Sequence, residues 1–322
     1  MIVTSCPLRI SLVGGSTDHP YFINKYGHGS VISFPSTLRT YITIHQDIFG
    51  SNSIGNNYHI NYSKRETVKK VSEIQNELIR YCFEYLNVDK MNCSLTSDIY
   101  SSGSGLAASS SYLQALIKAI YVLREEHITE FEVCKMAEII ERNFNPLVGQ
   151  QDFYGSTGGL KRIYFFKNGD PSIRYLSTNI FKQLNIYLLY TGVLRSSTNI
   201  LESINIDKSV PLLQDVEELE VAINNCDIEM FSNVINRGWE NKKATSNLIC
   251  ESSTLAELDS KLKSDPNILA HKLCGAGNGG YFLIFTNLNS VFDSAKYHMM
   301  KAISISETGL KYINLKNEFT KL

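Results

Sequence analysis

The chain has 322 residues, of which 43% are hydrophobic and 20% are charged, and its formal net charge at pH 7 is −1. This length permits one large domain or two moderate domains with an ample apolar core. The balanced charge does not indicate a nucleic-acid partner, and no apolar run approaches the ~20 residues of a membrane span. Pairs of basic residues such as Lys242-Lys243 are interpreted as solvated helix faces. We therefore expect neither nucleic acid nor a membrane among the partners.

The cysteine pattern and the first residues predict the cellular compartment. Seven cysteines are scattered along the chain, without a C-x-x-C pair or a zinc-site spacing. An odd number of dispersed cysteines is typical of reduced thiols in the cytoplasm. The opening residues MIVTSCPLRI lack the charged start and apolar core of a signal peptide. The expected location is the cytoplasm.

The first segment of the chain combines a predicted strand with a group of polar side chains. Residues 2–11 have strand character, and Gly14-Gly15 interrupt it. The side chains around this break offer a cation, a hydroxyl, a carboxylate and an imidazole, a set suited to holding a polyol: Arg9, Thr17, Asp18 and His19. The alternative is a polar turn with a surface arginine.

The later elements mix strands and helices without a regular β-α alternation, which predicts an α+β fold. The predicted strands are residues 40–46, 91–97, 162–166, 184–191, 268–273, 281–285 and 311–315. The predicted helices include residues 71–86, 131–143, 212–224, 253–263 and 291–301. The connection near residues 177–183 is the predicted seam between two domains, 1–180 and 181–322.

A loop of small residues, SGSGLAASSS, covers positions 102–111 after the predicted strand 91–97. It leads into a helical pattern of apolar residues at 113, 116, 117, 120 and 121. Such a loop presents backbone N–H groups at the positive end of the helix dipole, which favours phosphate binding. It is not a Walker A loop, because the chain has no G-K-[ST]. The alternative is a flexible linker or an ordinary helix N-cap.

A second glycine-rich loop, GAGNGG, lies at residues 275–280. It matches G-x-G-x-x-G, but the YFLIF that follows is a predicted strand, whereas a dinucleotide-binding fingerprint needs a helix there. We therefore exclude a Rossmann site. A glycine-rich hairpin is the alternative for this loop when it is taken alone.

The three segments together, in this order, resemble the GHMP kinases, the superfamily of galactokinase, homoserine kinase, mevalonate kinase and phosphomevalonate kinase. The pattern P-L-R-I-S-x-x-G-G-x-T-D-x-P at residues 7–20 is similar to its sugar 1-kinase branch, and most similar to kinases of D-glycero-D-manno-heptose 7-phosphate. The resemblance extends from residue 7 to about residue 285. It implies an N-terminal domain like the second domain of ribosomal protein S5, a ferredoxin-like C-terminal domain, and an active site between them.

The resemblance implies the catalytic residues. Residues 149–154, GQQDFY, resemble the G-x-Q-D-Q-Y box of the branch, with Phe153 where relatives commonly carry glutamine. Asp152 matches the catalytic base, which orients the attacking hydroxyl and accepts its proton. Arg9 matches a basic residue near this aspartate. The alternative for Asp152 is a carboxylate on a loop surface.

ATP and Mg²⁺ are the cofactors that the resemblance implies. Ser109 and Glu141 match the family's magnesium ligands, and the alternative for Glu141 is a helix-end charge paired with Arg142 or Lys135. The residues expected at the ATP phosphates are Ser102, Gly103, Ser104, Gly105, Leu106, Ala107, Ala108, Ser109 and Ser110.

The phosphate loop departs from the family pattern at two positions. Relatives usually have G-L-G-S-S-[SA], whereas this chain has Ala107 in place of a glycine and Ala108 in place of a serine. The methyl group at 107 is expected to restrict the approach of the backbone to the phosphates. The change at 108 removes one hydroxyl donor.

The sugar site is expected to contain cations as well as polar groups. Arg195 lies in a T-G-x-x-R-x-S segment that matches the heptose kinase branch, and an arginine flanked by serines suits a phosphate or a polyol. For Lys161 and Arg162 the alternative is a pair of surface cations at a strand end. The expected substrate-binding residues are Thr17, Asp18, His19, Gly158, Gly159, Lys161, Arg162, Arg195, Gly275 and Gly277.

The function implied by the resemblance is ATP-dependent phosphorylation of the anomeric hydroxyl of a heptose 7-phosphate, which gives the 1,7-bisphosphate for nucleotide-activated heptose and surface-glycan synthesis. The expected partner is a small sugar phosphate, and the oligomeric state, with a homodimer as one option, stays open. One alternative is a 1-kinase for an unphosphorylated sugar such as fucose. Another is a sugar sensor without catalytic activity, which only the departure at residues 107–108 favours.

Overall fold

The computed structural model describes residues 1–46, 57–100, 103–193, 197–290, 297 and 299–315, and these form two β-sheets with helices packed on them. The strands are β1 (Ile2–Val13), β2 (His28–His45), β3 (Tyr58–Asn61), β4 (Arg65–Val68), β5 (Asn92–Ser97), β6 (Lys161–Phe166), β7 (Gly169–Tyr175), β8 (Leu184–Tyr190), β9 (Ile268–Leu273), β10 (Tyr281–Asn287), β11 (Met300–Ile303) and β12 (Lys311–Asn314). The helices are α1 (Pro20–Tyr26), α2 (Glu77–Leu86), α3 (Ala108–Leu123), α4 (Glu130–Glu141), α5 (Gln151–Tyr154), α6 (Ser197–Ser203), α7 (Pro211–Asn225), α8 (Ile228–Ala244) and α9 (Ser253–Lys263).

The first sheet is built around the long strand β2. Its strand order is β12-β1-β2-β5-β3-β4, and β6 and β7 extend it beside the first half of β2. Residues 28–33 of β2 pair with β6 and residues 40–45 pair with β5, while β1 runs along the other side of β2. The helices α2, α3 and α4 share one buried core with this sheet, which includes Ile42, Ile44, Leu116, Ile120 and Phe153.

The second sheet has the order β11-β8-β10-β9, and all its pairs are antiparallel. The continuous apolar run of β10 is buried on both faces, as expected for an inner strand. Leu283 and Phe285 join a core shared with Leu8 and Ile10 of β1 and with α7 and α8, whereas Phe282 packs against Trp239 and α9 residues. The first of these cores joins the two sheets.

Most predicted elements are confirmed, including residues 253–263 and 268–273 at their predicted bounds. The predicted helix 71–86 is wrong in its first half, because α2 begins only at Glu77, where the Asn76 side chain accepts the Ile79 N–H as an N-cap. The predicted helix 291–301 is wrong at its end, where Met300 starts β11; residues 291–296 and 298 lie outside the described part. The domain limits of 1–180 and 181–322 stay a prediction, and β12 pairs with β1 of the first sheet. In the described part of the chain, no helix combines the length and apolar character needed to cross a bilayer.

Candidate active site

A cleft of about 750 Å³ opens between the two sheets. Its walls come from the end of β1 and the turn after it, the loop before α3, the helix α5, the inner side of α8, and the hairpin after β9. The predicted site residues that line this cleft are Arg9, Asp18, His19, Gly103, Ser104, Gly105, Ala107, Ala108, Ser109, Ser110, Glu141, Asp152 and Gly275.

Arg9 and Asp152 form an ion pair inside the cleft. The Arg9 guanidinium donates to Asp152 Oδ1 through both Nε, at 3.0 Å, and Nη2. Its Nη1 donates to the carbonyl oxygen of Gly105 in the phosphate loop at 3.2 Å. Arg9 is only 4% exposed, so this cation is fixed in position by burial and by three hydrogen bonds. It links the carboxylate to the loop predicted to hold phosphate.

Asp18 holds the short helix that carries Asp152. Its Oδ2 accepts the backbone N–H of Gln151 at 3.2 Å, and its Oδ1 accepts from Gln151 Nε2 at 3.1 Å. The approach requires glycine at 149, because a Cβ atom there would lie 2.1 Å from Asp18 Oδ2. Asp18 lines the cleft, and these bonds also make it an anchor for α5.

The phosphate loop ends in a strained residue at the start of α3. Ala107 is the N-cap of α3 and has φ 56° and ψ 40°, a left-handed conformation that costs an alanine about 1–2 kcal/mol. The first N–H groups of an α-helix have no partner inside the helix, and residues 108–110 of α3 line the cleft. Leu106 is an exception within the loop: its side chain is buried in the core and its N–H is donated to Ser104 Oγ at 3.3 Å, so its predicted contact with phosphate is corrected.

Glu141, at the end of α4, is a buried carboxylate that faces the same loop. Ser110 Oγ donates to its Oε2 at 2.6 Å, and Asn145 Nδ2 lies 3.5 Å from its Oε1. Burial raises the pKa of Glu141 to about 7, and the charge of Asp152 adds to the rise. The Ser109 side chain is exposed to the cleft. Hydroxyl and carboxylate oxygens meet here, and such oxygens are ligands that Mg²⁺ prefers. A cation would also compensate the negative charge of Glu141, which burial and the nearby Asp152 disfavour.

His19 lines the cleft and has a buried ring N–H group without a partner among the described residues. It is the N-cap of α1, and its Nδ1 accepts the backbone N–H of Tyr21 at 3.3 Å, which leaves the proton of the neutral ring on Nε2. Nε2 is buried and has no hydrogen-bond partner among the described residues. Burial lowers the pKa of His19 to about 4, with further lowering by the charges of Lys242 and Arg142, so the ring is neutral at pH 7.

Thr17 is corrected from a sugar-binding residue to a structural one. Its side chain is fully buried and its hydroxyl donates to the carbonyl oxygens of Gly14 and Ser30, both at 2.8 Å. It also accepts the Ser30 N–H at 3.1 Å. Its single hydroxyl proton is therefore shared between two carbonyl oxygens of the fold, and Thr17 is not in the wall of the cleft.

Lys161 and Arg162 are also corrected, because neither lines the cleft. Lys161 is buried behind α5, where it donates to the carbonyl oxygens of Gly155 and Thr157, and burial lowers its pKa to about 7. Arg162 points to α7 and binds Glu217 and Glu220. They are neither the surface cations nor the substrate ligands that the sequence suggested.

Three predicted glycine ligands pack against protein instead of lining the cleft. The Gly159 N–H donates to the Ser306 carbonyl oxygen at 2.9 Å, and Gly158 lies against the backbone of Glu307. Gly277 lies against Ile249. Positions 158 and 277 are glycines because the neighbouring atoms leave little room for a side chain. The prediction that the three glycines bind the substrate is therefore corrected. The predicted Arg195 and Ser102 lie outside the described residues.

Two lysines of the cleft were missed by the sequence analysis. Lys242, interpreted there as part of a solvated helix face, lines the cleft and donates to Ser16 Oγ. Lys272, three residues before the glycine loop 275–280, donates to the carbonyl oxygens of Ser11 and Leu12 at 2.9 and 2.7 Å. Its place beside that loop was a usable signal, whereas nothing in the local sequence distinguishes Lys242 from Lys243.

Comparisons with known proteins agree with this architecture. Residues 66–159 match the family model of the GHMP kinases N terminal domain. The chain is 27% identical, over 94% of its length and 93% of the relative, to the D-glycero-alpha-D-manno-heptose 7-phosphate kinase of Campylobacter jejuni. A crystal structure of a D-glycero-D-manno-heptose 1-phosphate kinase from Bacteroides thetaiotaomicron superposes with a TM-score of 0.74 at 18% identity, covering 98% of this chain and 99% of that one.

A more distant structure carries bound ligands. The phosphomevalonate kinase of Streptococcus pneumoniae, in complex with phosphomevalonate and AMPPNP, has a TM-score of 0.70 at 12% identity, with 94% of this chain and 99% of that chain covered. At these identities the two crystal structures show the fold. The family match rests on the sequence of residues 66–159, a region that includes the phosphate loop and Asp152. The chain therefore contains a GHMP kinase N-terminal domain, and its mixed α/β architecture of two sheets is the two-domain fold of the GHMP kinases.

Proposed function

We propose that this protein is a kinase that transfers a phosphoryl group from ATP to the anomeric hydroxyl of D-glycero-D-manno-heptose 7-phosphate. The product would be the 1,7-bisphosphate, a precursor of nucleotide-activated heptose for surface glycans, made in the cytoplasm from soluble sugar phosphate. The observation that carries the proposal is the bridge formed by Arg9, which holds Asp152 and the Gly105 carbonyl of the phosphate loop in one cleft. The heptose 7-phosphate kinase relative supports the choice of substrate.

Asp152 is the proposed base for the sugar hydroxyl. Phosphoryl transfer has a loose transition state, so that positioning of the nucleophile and neutralisation of charge account for most of the catalysis. Asp18 fixes α5, and Arg9 fixes the Asp152 carboxylate by bonds to one of its oxygens. The carboxylate then orients the hydroxyl and finally takes its proton. Arg9 stabilises the anionic oxygen that develops during attack.

The nucleotide phosphates are proposed to bind at the start of α3. Residues 108–110 of this first helical turn line the cleft, and the N–H groups at a helix start suit anionic oxygens. The Ser109 hydroxyl and the Glu141 carboxylate are the residues that would hold Mg²⁺. When bound there, Mg²⁺ would neutralise charge on the phosphate oxygens. The bound AMPPNP of the phosphomevalonate kinase supports ATP as the donor in this fold.

One structural finding favours a second candidate, a 1-kinase for an unphosphorylated sugar such as fucose. Lys161 and Arg162, two of the cations expected to bind a substrate phosphate, are buried away from the cleft. Two other lysines, Lys242 and Lys272, do line it, so the first candidate keeps its positive charge.

A sugar panel and one substitution test the proposal. ATP consumption with heptose 7-phosphate, heptose and fucose identifies the acceptor. Asp152→Asn keeps shape and polarity but loses the basic oxygen, and a loss of kcat on the order of 10²-fold or more is expected. Asp170→Asn, which removes an exposed carboxylate from the ion pair with Lys135, is the control and should leave kcat unchanged. ADP release that does not depend on any sugar, or a normal kcat for Asp152→Asn with intact protein, contradicts the proposal.

A further inference from the structure

Lys242 is a cationic residue in the wall of the cleft that the sugar would occupy. It is on the last turns of α8 and lines the cleft beside the turn after β1. Its ammonium group donates to the hydroxyl of Ser16, a buried residue with φ 89°, a conformation that is uncommon for any residue other than glycine. The strained turn and the lysine from the other half of the molecule thus meet at one place in the cleft wall.

A continuous series of hydrogen bonds connects this lysine to the catalytic helix. Lys242 donates to Ser16 Oγ, the Ser16 N–H donates to Asp18 Oδ1 at 3.1 Å, and Asp18 accepts from Gln151, the neighbour of Asp152. Lys242, Ser16, Asp18, Gln151 and Asp152 all line the cleft, and we call them its acceptor wall. In the series of bonds, Ser16, Asp18 and Gln151 lie between the Lys242 ammonium and Asp152. A sugar whose anomeric hydroxyl meets Asp152 would lie along this wall with its opposite end toward Lys242.

His19 adds a second donor in the same cleft. His19 is one of the residues that line the cleft, and its Nε2 is buried without a hydrogen-bond partner among the described residues. A buried donor without a partner is costly, because its desolvation is not compensated. Lys242 lines the same cleft, and its charge lowers the pKa of the ring. Arg142 also acts on the ring, and its own guanidinium binds Glu138.

Lys272 does not fill this role. Its ammonium group holds two carbonyl oxygens of β1, Ser11 and Leu12, and it lies close enough to Arg9 to feel its charge. These carbonyls follow Arg9 by two and three positions on β1, so Lys272 is held to the strand that carries Arg9. Lys242, by contrast, is the lysine that is joined through Ser16 to Asp18 and the acceptor wall.

We propose that Lys242 and the Nε2–H of His19 bind the phosphate that the sugar already carries at the end opposite to its anomeric hydroxyl. This inference rests on the proposed function and names residues that confer its specificity. A sugar phosphate and ATP bring like charges into one cleft, and a fixed ammonium at the far end offsets this repulsion. The neutral imidazole contributes a hydrogen bond to a phosphate oxygen without depending on pH near 7.

Lys242→Met tests the cation, because it keeps the length of the side chain and removes the charge. We expect KM for heptose 7-phosphate to rise roughly 10- to 100-fold, as for loss of a hydrogen bond to a charged group. KM for ATP and KM for unphosphorylated heptose should change less than about twofold. Lys242→Arg keeps the charge and should stay within about tenfold of the parent. Lys263→Met removes a lysine that is 70% exposed and should change none of these constants.

His19→Asn tests the second donor while retaining a residue that caps α1 well. It should raise KM for heptose 7-phosphate by about 3- to 10-fold and should not lower kcat for unphosphorylated heptose. Titration calorimetry with heptose 7-phosphate, without ATP, should show for each variant a rise in Kd that matches the rise in its KM.

The outcomes separate this inference from the function on which it rests. A parent enzyme that prefers heptose 7-phosphate, with a preference that survives Lys242→Met, overturns the assignment of Lys242 but leaves the kinase proposal standing. A parent that uses heptose and heptose 7-phosphate equally overturns phosphate recognition and favours the unphosphorylated-sugar kinase. A parent that phosphorylates no sugar overturns both.

Discussion

Replacing Arg162 with methionine is expected to destabilise the fold and to leave the sugar site unchanged. Arg162 lies in β6, with its side chain only 6% exposed, and points away from the cleft. Its Nη1 donates to Glu217 and to Glu220 of α7, each at 2.7 Å, and its Nε donates to Ser30 Oγ at 3.0 Å. The network therefore joins β6 of the first sheet to α7, a helix that packs in the core shared by the two sheets.

The expected loss follows from the burial of the partners. Glu220 is 9% exposed, and removing one member of a buried ion pair costs about 3–5 kcal/mol because the other charge stays buried. Arg174 also binds Glu220 and would still neutralise part of its charge in the variant. The expected loss of stability is therefore at the lower end of this range, about 3 kcal/mol. With about 2.1 cal/mol/K of unfolding entropy per residue over 322 residues, this corresponds to a fall in Tm of roughly 4 °C.

The assay is thermal unfolding of the parent and the variant, together with sugar kinetics at 25 °C. Glu217→Gln is the matched control: Glu217 is 66% exposed, so its ion pair with Arg162 should contribute about 1 kcal/mol or less. KM for heptose 7-phosphate should be unchanged in both variants. An Arg162→Met variant with the parent's Tm and a raised KM for the sugar phosphate would refute the reasoning and restore the substrate role that the sequence suggested.

Three further predictions concern the phosphate side of the cleft. Ser109→Ala and Glu141→Gln should each raise the Mg²⁺ concentration for half-maximal rate, and a magnesium dependence that overlays the parent's would remove both from the metal site. Ala107→Gly relieves a left-handed alanine and should raise the free energy of unfolding by up to about 1 kcal/mol, measured by urea denaturation, and lower KM for ATP. In Gly280→Ala, the new Cβ would lie 2.3 Å from the backbone of the phosphate loop, so the variant should lose about 2–4 kcal/mol of stability and have a raised KM for ATP. Gly192→Ala is the control: Gly192 also has a positive φ, but no atom lies within 4 Å of its Cβ position, so no KM should rise.

The sequence alone determined the types of most elements and the places of the glycine loops. Apolar periodicity locates α3 and α9, and a continuous apolar run marks β10 as a buried strand, because these patterns depend only on the backbone repeat. The helix predicted over residues 71–86 failed at a single residue, Asn76, whose side chain competes for backbone N–H groups and begins a new helix at 77. Local capping chemistry, not periodicity, set that boundary.

The likeness to a known family brought Arg9 and Asp152 together although 143 positions separate them. Spacing by itself contains no such information, since a contact between distant positions depends on how the strands of the first sheet are ordered. The same limit applies to Glu141, which the structure places next to Ser110. The resemblance implied Glu141 as a magnesium ligand and Ser110 as a residue at the ATP phosphates, but it did not predict the hydrogen bond between them.

Only the tertiary structure decided which polar side chains face the cleft. Thr17 sits in a motif of polyol-binding composition, yet its hydroxyl is consumed by two backbone carbonyls. Lys161 and Arg162 follow the catalytic segment directly, yet they enter β6, where alternation of the strand sends them to opposite sides, one behind α5 and one to α7. Lys242 has a neighbour of the same type and charge, and only the packing of α8 against the turn after β1 turns Lys242 inward while Lys243 binds Asp259. The direction of a charged side chain is set by partners that are far away in the chain, because a buried charge is tolerated only where those partners meet it.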